Sequence, residues 1–208
     1  LVDIFKKLKP GEPFTTEGVH TFLIQKFFDE KHYDAGRAGR YKYTKKLGIY
    51  DRLPGRILAE NLISADGEVV YPEGHKLTKE EVQGLRDDEF FEKGAHTYEL
   101  KINDKLDKSS NKINKVLVRA HDKQDGQVLQ IVGTDLSLSL SRITVIDVIA
   151  TFSYFCNVMF GIGNSDDIDH LGNRRIRCVG ELLQSQFRQG LAKMTKNVQS
   201  KMTITDMD

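Results

Sequence analysis

Residues 164–177 read Asn164-Ser165-Asp166-Asp167-Ile168-Asp169-His170-Leu171-Gly172-Asn173-Arg174-Arg175-Ile176-Arg177. Three carboxylates (Asp166, Asp167, Asp169) precede three guanidinium groups (Arg174, Arg175, Arg177), and the turn-forming Leu171-Gly172-Asn173 separates them. Apolar residues fall singly at 168, 171 and 176 and fit no amphipathic period, so the stretch predicts a charged loop. It is entered from the very apolar 145–162 and leaves into an amphipathic run from 179. Opposed charges this close partly neutralise one another and hold a shape. Surplus arginine then faces phosphate, while a carboxylate accepts hydrogen bonds from a base. The other reading of the same residues is a surface loop laced by internal ion pairs.

On the upstream side, 142–161 predicts a helix capped by Thr144 with Asp147 and ended by Gly161 and Gly163. Val145, Ile146, Val148, Ile149, Phe152, Phe155, Val158, Met159 and Phe160 make it apolar over most of its surface, the expected centre of a helical core. Polar interruptions at Asp147, Ser153, Tyr154 and Asn157 argue against a membrane span. Downstream, 179–202 predicts a long helix with Leu182, Leu183, Phe187, Leu191, Met194 and Val198 on one side. Its other side carries Arg188, Lys193, Lys196 and Lys201, which suits phosphate or an acidic partner as well as plain solvent.

At the start of the chain, residues 1–8 have a helical apolar face cut off by Pro10, Gly11 and Pro13. Thr15 or Thr16 then caps a helix over 16–28, whose stripe of Val19, Phe22, Leu23, Phe27 and Phe28 is expected to meet 145–161. From 37 to 52, Arg37, Arg40, Lys42, Lys45, Lys46 and Arg52 interleave with Tyr41, Tyr43 and Tyr50. That pattern lines a phosphate-tracking groove or forms a solvated face.

Residues 53–143 change character. Short β-branched runs alternate with turns, and Asp66-Gly67 and Asp125-Gly126 are hairpin signals. Thr78 and Glu81 form a capping box for a short helix at 79–86, and 105–114 reads as a polar loop. The class expected is therefore α+β: a helical host (1–52, 144–165 and 166–208) carrying an antiparallel β-rich module at 53–143. His20 and His32 read as helix-surface residues, and His75, His96 and His121 are too scattered for a metal site.

Composition sets the outer bounds. With 208 residues, 39% hydrophobic and 29% charged, the chain is of ordinary globular type. Formal net charge is only +1, so any affinity for nucleic acid must come from local clusters. Cys156 and Cys178 have no metal-binding spacing and suit a reducing, cytoplasmic setting. The chain opens at Leu1 in mid-pattern and stops at Asp208 without a terminating feature, which predicts a piece of a longer polypeptide.

The wording of three stretches carries a resemblance. Asp166-Asp167-Ile168-Asp169-His170-Leu171-Gly172-Asn173-Arg174-Arg175-Ile176-Arg177, continued by Val179-Gly180-Glu181-Leu182 and Gln186-Phe187-Arg188, resembles a signature of the β subunit of bacterial DNA-directed RNA polymerase. Leu1-Val2-Asp3-Ile4 with Lys9-Pro10-Gly11-Glu12-Pro13, and Tyr33-Asp34 with Gly39-Arg40-Tyr41-Lys42, are similar to two further stretches of that family, in its order.

The resemblance implies that 1–52 and 144–165 belong to a lobe and 166–208 to a protrusion, walls of the main DNA channel, with 53–143 a lineage-specific insertion similar to a β-β′ module. It further implies that Asp167, Ile168 and Asp169 line a pocket for a guanine flipped out of the non-template strand. A carboxylate there meets the N1–H and N2–H donors of the exposed base edge. Arg174, Arg177 and Lys196 are expected to hold backbone phosphate or brace the carboxylates, and Arg175, Arg40 and Lys42 complete the expected DNA-contacting set.

Implied partners are DNA (non-template strand and downstream duplex) and the β′, α and σ subunits, with no membrane. The implied parent activity is nucleotidyl transfer using magnesium held by another subunit. This chain alone is expected to hold no metal and catalyse nothing. Where the family commonly has Arg-x-Glu-Arg, Lys193-Met194-Thr195-Lys196 stands here: charge is kept and the planar fork of arginine is lost. Phe14 replaces an expected proline. The competing function is a protein-interaction module that docks a regulator or another polymerase subunit through 53–143. A hydrolase built on Asp167 and His170 lacks a positioned nucleophile.

Overall fold

A helix at Val2–Leu8 (α1) opens the structure, a computed structural model that describes residues 2–29, 34–102, 111–136 and 142–205. Leu1, His32, Tyr33 and most of the polar run 105–114 lie outside the described residues. The second helix, α2 (Thr16–Phe28), starts where expected, with Thr15 Oγ1 accepting from the Gly18 N–H at 3.1 Å. Its stripe closes on α1: Phe5, Val19 and Leu23 are buried together with Phe22 and Phe27 packed against them, and Phe5 meets Phe22 edge to face. The expected apolar partner, 145–161, is not part of that cluster. A nearer neighbour in sequence supplied the needed apolar surface.

The basic, tyrosine-rich stretch forms α3 (Gly36–Leu47), with the Asp34 carboxylate accepting from the Gly36 N–H at its start. Next come the hairpin β1 (Leu62–Ile63) and β2 (Val69–Tyr71) around Asp66-Gly67, where Gly67 supplies the positive φ of the turn. Helix α4 (Lys79–Asp87) carries the full capping box of Thr78 and Glu81. Three further strands, β3 (Thr97–Glu99), β4 (Lys112–Arg119) and β5 (Val128–Gly133), make an antiparallel sheet in the order β3-β4-β5.

The period of two along β4 explains what this sheet separates. Val116 and Val118, with Ile131 of β5, face a large core that gathers Ile49, Leu53, Leu58, Leu62, Leu77, Val82, Leu85, Phe91 and Ile162. Ile113 and Val132 face the other way, onto Ile146 of α5 (Val145–Val158). The sheet thus lies between the main core and α5. Gly133 is where β5 passes closest to Ile49: a Cβ there would stand 2.9 Å from the Ile49 Cβ.

Thr144 and Asp147 form the predicted capping box of α5. Its burial differs from expectation. Ile146, Asp147, Ala150 and Asn157 are covered, while Phe152, Phe155 and Met159 are about two-thirds exposed (68%, 67% and 72%). One face rather than the whole circumference is buried, because a single sheet offers one covering surface. A 3₁₀ turn at Leu171–Asn173 and the long helix α6 (Val179–Thr205) complete the chain. The class is α+β, with six helices and two small antiparallel sheets among the described residues. Two compact units divide it, Leu1–Ser165 and Asp166–Asp208.

Candidate nucleic-acid interface

Within the second unit the charged loop is shaped by short hydrogen bonds to its own backbone. Asp167 Oδ1 accepts from the Asp169 N–H at 3.0 Å, and the Asp167 carbonyl accepts from Asn173 Nδ2 at 2.8 Å. His170 Nδ1 accepts from the Gly172 N–H at 3.0 Å, and the His170 carbonyl from the Asn173 N–H at 2.8 Å. This is the Asx-turn chemistry that aspartate, asparagine and glycine support. Arg175 pairs with Glu181 in the first turn of α6, bracing loop against helix. Asp166, Asp167, Ile168, Asp169, Arg174 and Arg177 are all exposed, and Ile168 stands 82% open to solvent although it is fully apolar.

Along α6, Arg188, Lys193, Lys196 and Lys201 are exposed, and so are Leu182, Leu183, Phe187, Leu191, Met194, Val198 and Met202. The predicted two-sided helix is there, with its apolar side bare within this unit.

The first unit contains the two remaining predicted phosphate contacts, and it separates them. Lys42 is exposed on α3. Arg40 is buried: its guanidinium forks onto Asp147 of α5 at 2.6 and 2.9 Å, with Thr134 also donating to that carboxylate. Burial alone would raise the Asp147 pKa. Hydrogen bonds from Arg40, Thr134 and the Thr144 backbone outweigh it and hold the carboxyl below its usual range. Arg40 is therefore corrected from phosphate contact to internal brace, because no solvent-facing donor remains to it once both terminal nitrogens are engaged at this depth.

The polar residues of α5, which in sequence only interrupt an apolar run, have a structural role that the sequence did not assign. Ser153 Oγ accepts from the Val132 N–H and donates to the Gln130 carbonyl, to which Asn157 Nδ2 also donates; Tyr154 bonds to Asn164. Their signal was present: Asp147, Tyr154 and Asn157 recur at helical spacing inside an otherwise apolar run. Among the described residues no group of three His, Cys, Asp or Glu side chains converges to hold a metal, and no helix is long and apolar enough to cross a membrane.

Residues 97–177, from β3 through α5 to the last arginine of the loop, match the family described as RNA polymerase Rpb2, domain 2. Proteins named DNA-directed RNA polymerase subunit beta are similar over essentially the whole chain. The one from Spiroplasma citri is 42% identical over 99% of this chain. Those from Limosilactobacillus reuteri and Staphylococcus carnosus are 43% and 40% identical over 100% of it. The chain spans only 16 to 18% of the length of these relatives.

Proposed function

Because this chain belongs to the β-subunit family of DNA-directed RNA polymerase, we propose that it forms part of the wall of the DNA channel and grips an unpaired non-template strand. The carrying observation is the turn at 167–173. Its hydrogen bonds are spent on its own backbone, while the Asp169 carboxylate and the Ile168 side chain stand in solvent. An apolar residue held open beside a carboxylate offers a base both a surface to lie on and an acceptor for its donors. Guanine is the base whose pairing edge presents adjacent N–H donors, so Asp167, Ile168 and Asp169 select for it. Arg174, Arg177 and Lys196 hold backbone phosphate, Arg175 braces the turn, and Lys42 contacts phosphate from the first unit.

Nucleotidyl transfer, with its magnesium, is supplied elsewhere in the assembly, alongside the β′, α and σ subunits in a cytoplasmic enzyme. The chain alone is inactive; nucleotidyl transfer by it would contradict this assignment. The direct test is Asp169→Ala in the assembled polymerase, measuring retention of each of the four bases at single non-template positions. Wild type favours guanine at one position and the variant loses that preference by roughly tenfold, as expected for one charge-assisted hydrogen-bonded contact. Equal retention of all four bases in both enzymes refutes the pocket.

A second reading, docking of a regulator through 53–143, is favoured by one observation. Ile63, Val69 and Val70 of the β1–β2 hairpin are all exposed. Salt separates the two readings: strand contact weakens with rising salt and apolar docking does not.

A further inference from the structure

The segment 160–164, through which the chain passes from α5 into the charged loop, is gripped from several sides. Ile162 is wholly buried in the main core, and its N–H donates to the Asn157 carbonyl at 3.0 Å. The His121 N–H donates to the Phe160 carbonyl at 3.3 Å, and Arg56 Nη1 reaches the Gly161 carbonyl at 3.3 Å while meeting both carboxylate oxygens of Asp122. Gly163, at φ +101, passes close to the hydroxyl end of the Tyr154 ring; a Cβ there would stand 2.8 Å from the ring carbon that bears the hydroxyl.

The last grip is the most specific. The Tyr154 hydroxyl donates to the Asn164 carbonyl at 2.8 Å and accepts from the Asn164 N–H at 2.9 Å. Lys46 donates to the same carbonyl at 3.1 Å. Lys46 and Arg52 both approach the Tyr154 ring, at 5.0 and 5.3 Å from its centroid. Arg52 is in turn tied to the Val132 carbonyl at 2.7 Å. One hydroxyl thus closes both backbone groups of Asn164, two residues ahead of Asp166, and two cations hold its ring.

From this geometry we infer that Tyr154 is a positioning residue: its hydroxyl fixes the point from which the acid-then-arginine loop departs. Its meaning for guanine selection rests on the reading proposed above; the clasp itself is testable without that reading.

The test uses Tyr154→Phe, which keeps the ring and removes only the hydroxyl. In the full chain, amide hydrogen exchange is compared with wild type, together with the thermal midpoint. Exchange at Asn164 and the following loop amides rises about tenfold, the effect of losing a hydrogen bond that held the end of the 160–164 segment, while α5, β5 and the midpoint are unchanged. Unaltered exchange at Asn164 overturns the inference. So does faster exchange spread across α5 and β5, which would make Tyr154 a core residue only.

The assembled polymerase provides the second readout. Tyr154→Phe lowers guanine preference at the position read by Asp169→Ala. If Asp169→Ala lowers it and Tyr154→Phe does not, the positioning role fails. If neither changes it while Asn164 exchange has risen, the pocket fails and the clasp stands. Should Tyr154→Phe not fold, the wild-type chain decides: an Asn164 amide that exchanges at least about tenfold slower than exposed loop amides supports the clasp, and exchange at the unprotected rate overturns it.

Discussion

Asp147 does two jobs with one carboxylate. It closes the capping box with Thr144 at the start of α5 and receives the buried Arg40 fork from α3. Replacing such a pair by apolar residues is often tolerated, whereas removing one partner strands a charge in the interior. Arg40→Ala is therefore expected to cost ~3–5 kcal/mol of unfolding free energy, measured by urea denaturation, even though lysine and arginine changes on the outer face of α3 cost little.

The same carboxylate makes stability depend on acid. Its folded pKa lies below the ordinary value of 3.8, so its contribution is complete above that value and is lost as pH falls through the lower, folded one. Wild type should lose urea resistance steeply below about pH 4, and Asp147→Asn should show a shallower loss from a lower starting point. Equal acid slopes in the two proteins would contradict the assignment.

At the scale of elements, α5 and α6 show what helices of this kind need. Each has an apolar stripe; α5 spends one face on β5 and leaves Phe152, Phe155 and Met159 outside, while α6 covers none of its stripe within its own unit. Helix α6 nonetheless carries Gly180 in its first turn and Gly190 in its interior, where a Cβ would meet nothing within 4 Å in this chain. Gly190→Ala should then raise helix stability by about 1 kcal/mol, visible as a higher melting temperature of the helical circular dichroism signal of the chain. A loss instead would mean that the backbone is closely approached at that point.

Elements whose signals are local were legible in sequence. The capping boxes at Thr78 and Thr144, the cap at Thr15 and both hairpin turns fell where their side chains said, since each acts within three or four residues of itself. The buried partner of α2 was not legible: an apolar stripe states that it needs covering, not by what.

At the scale of the whole molecule, a net charge of +1 leaves no general field to draw in nucleic acid. On the proposed function, binding of a single strand by the chain alone rests on a few local cations, chiefly Arg174, Arg177 and Lys196. Three phosphate contacts predict a log–log salt slope of about −2, with weak affinity even at low salt, measured by fluorescence anisotropy of a labelled single strand. A slope near zero would point to apolar docking in place of strand contact.

What the amino-acid sequence determined unaided was most of the helices, caps and hairpin turns (not α3), the α+β class, and the resemblance to the polymerase β subunit. These are written in short-range periodicity, capping side chains and one dense charged motif. Only the tertiary structure decided that Arg40 turns inward and which face of α5 is covered. It also decided that Tyr154 closes on Asn164 while Asp169 and Ile168 stay outside. Arg40 and Asp147 are 107 positions apart, and nothing local marks a basic residue on a helix as bound for the interior. That choice is made when a carboxylate from a distant element arrives beside it and repays the loss of water.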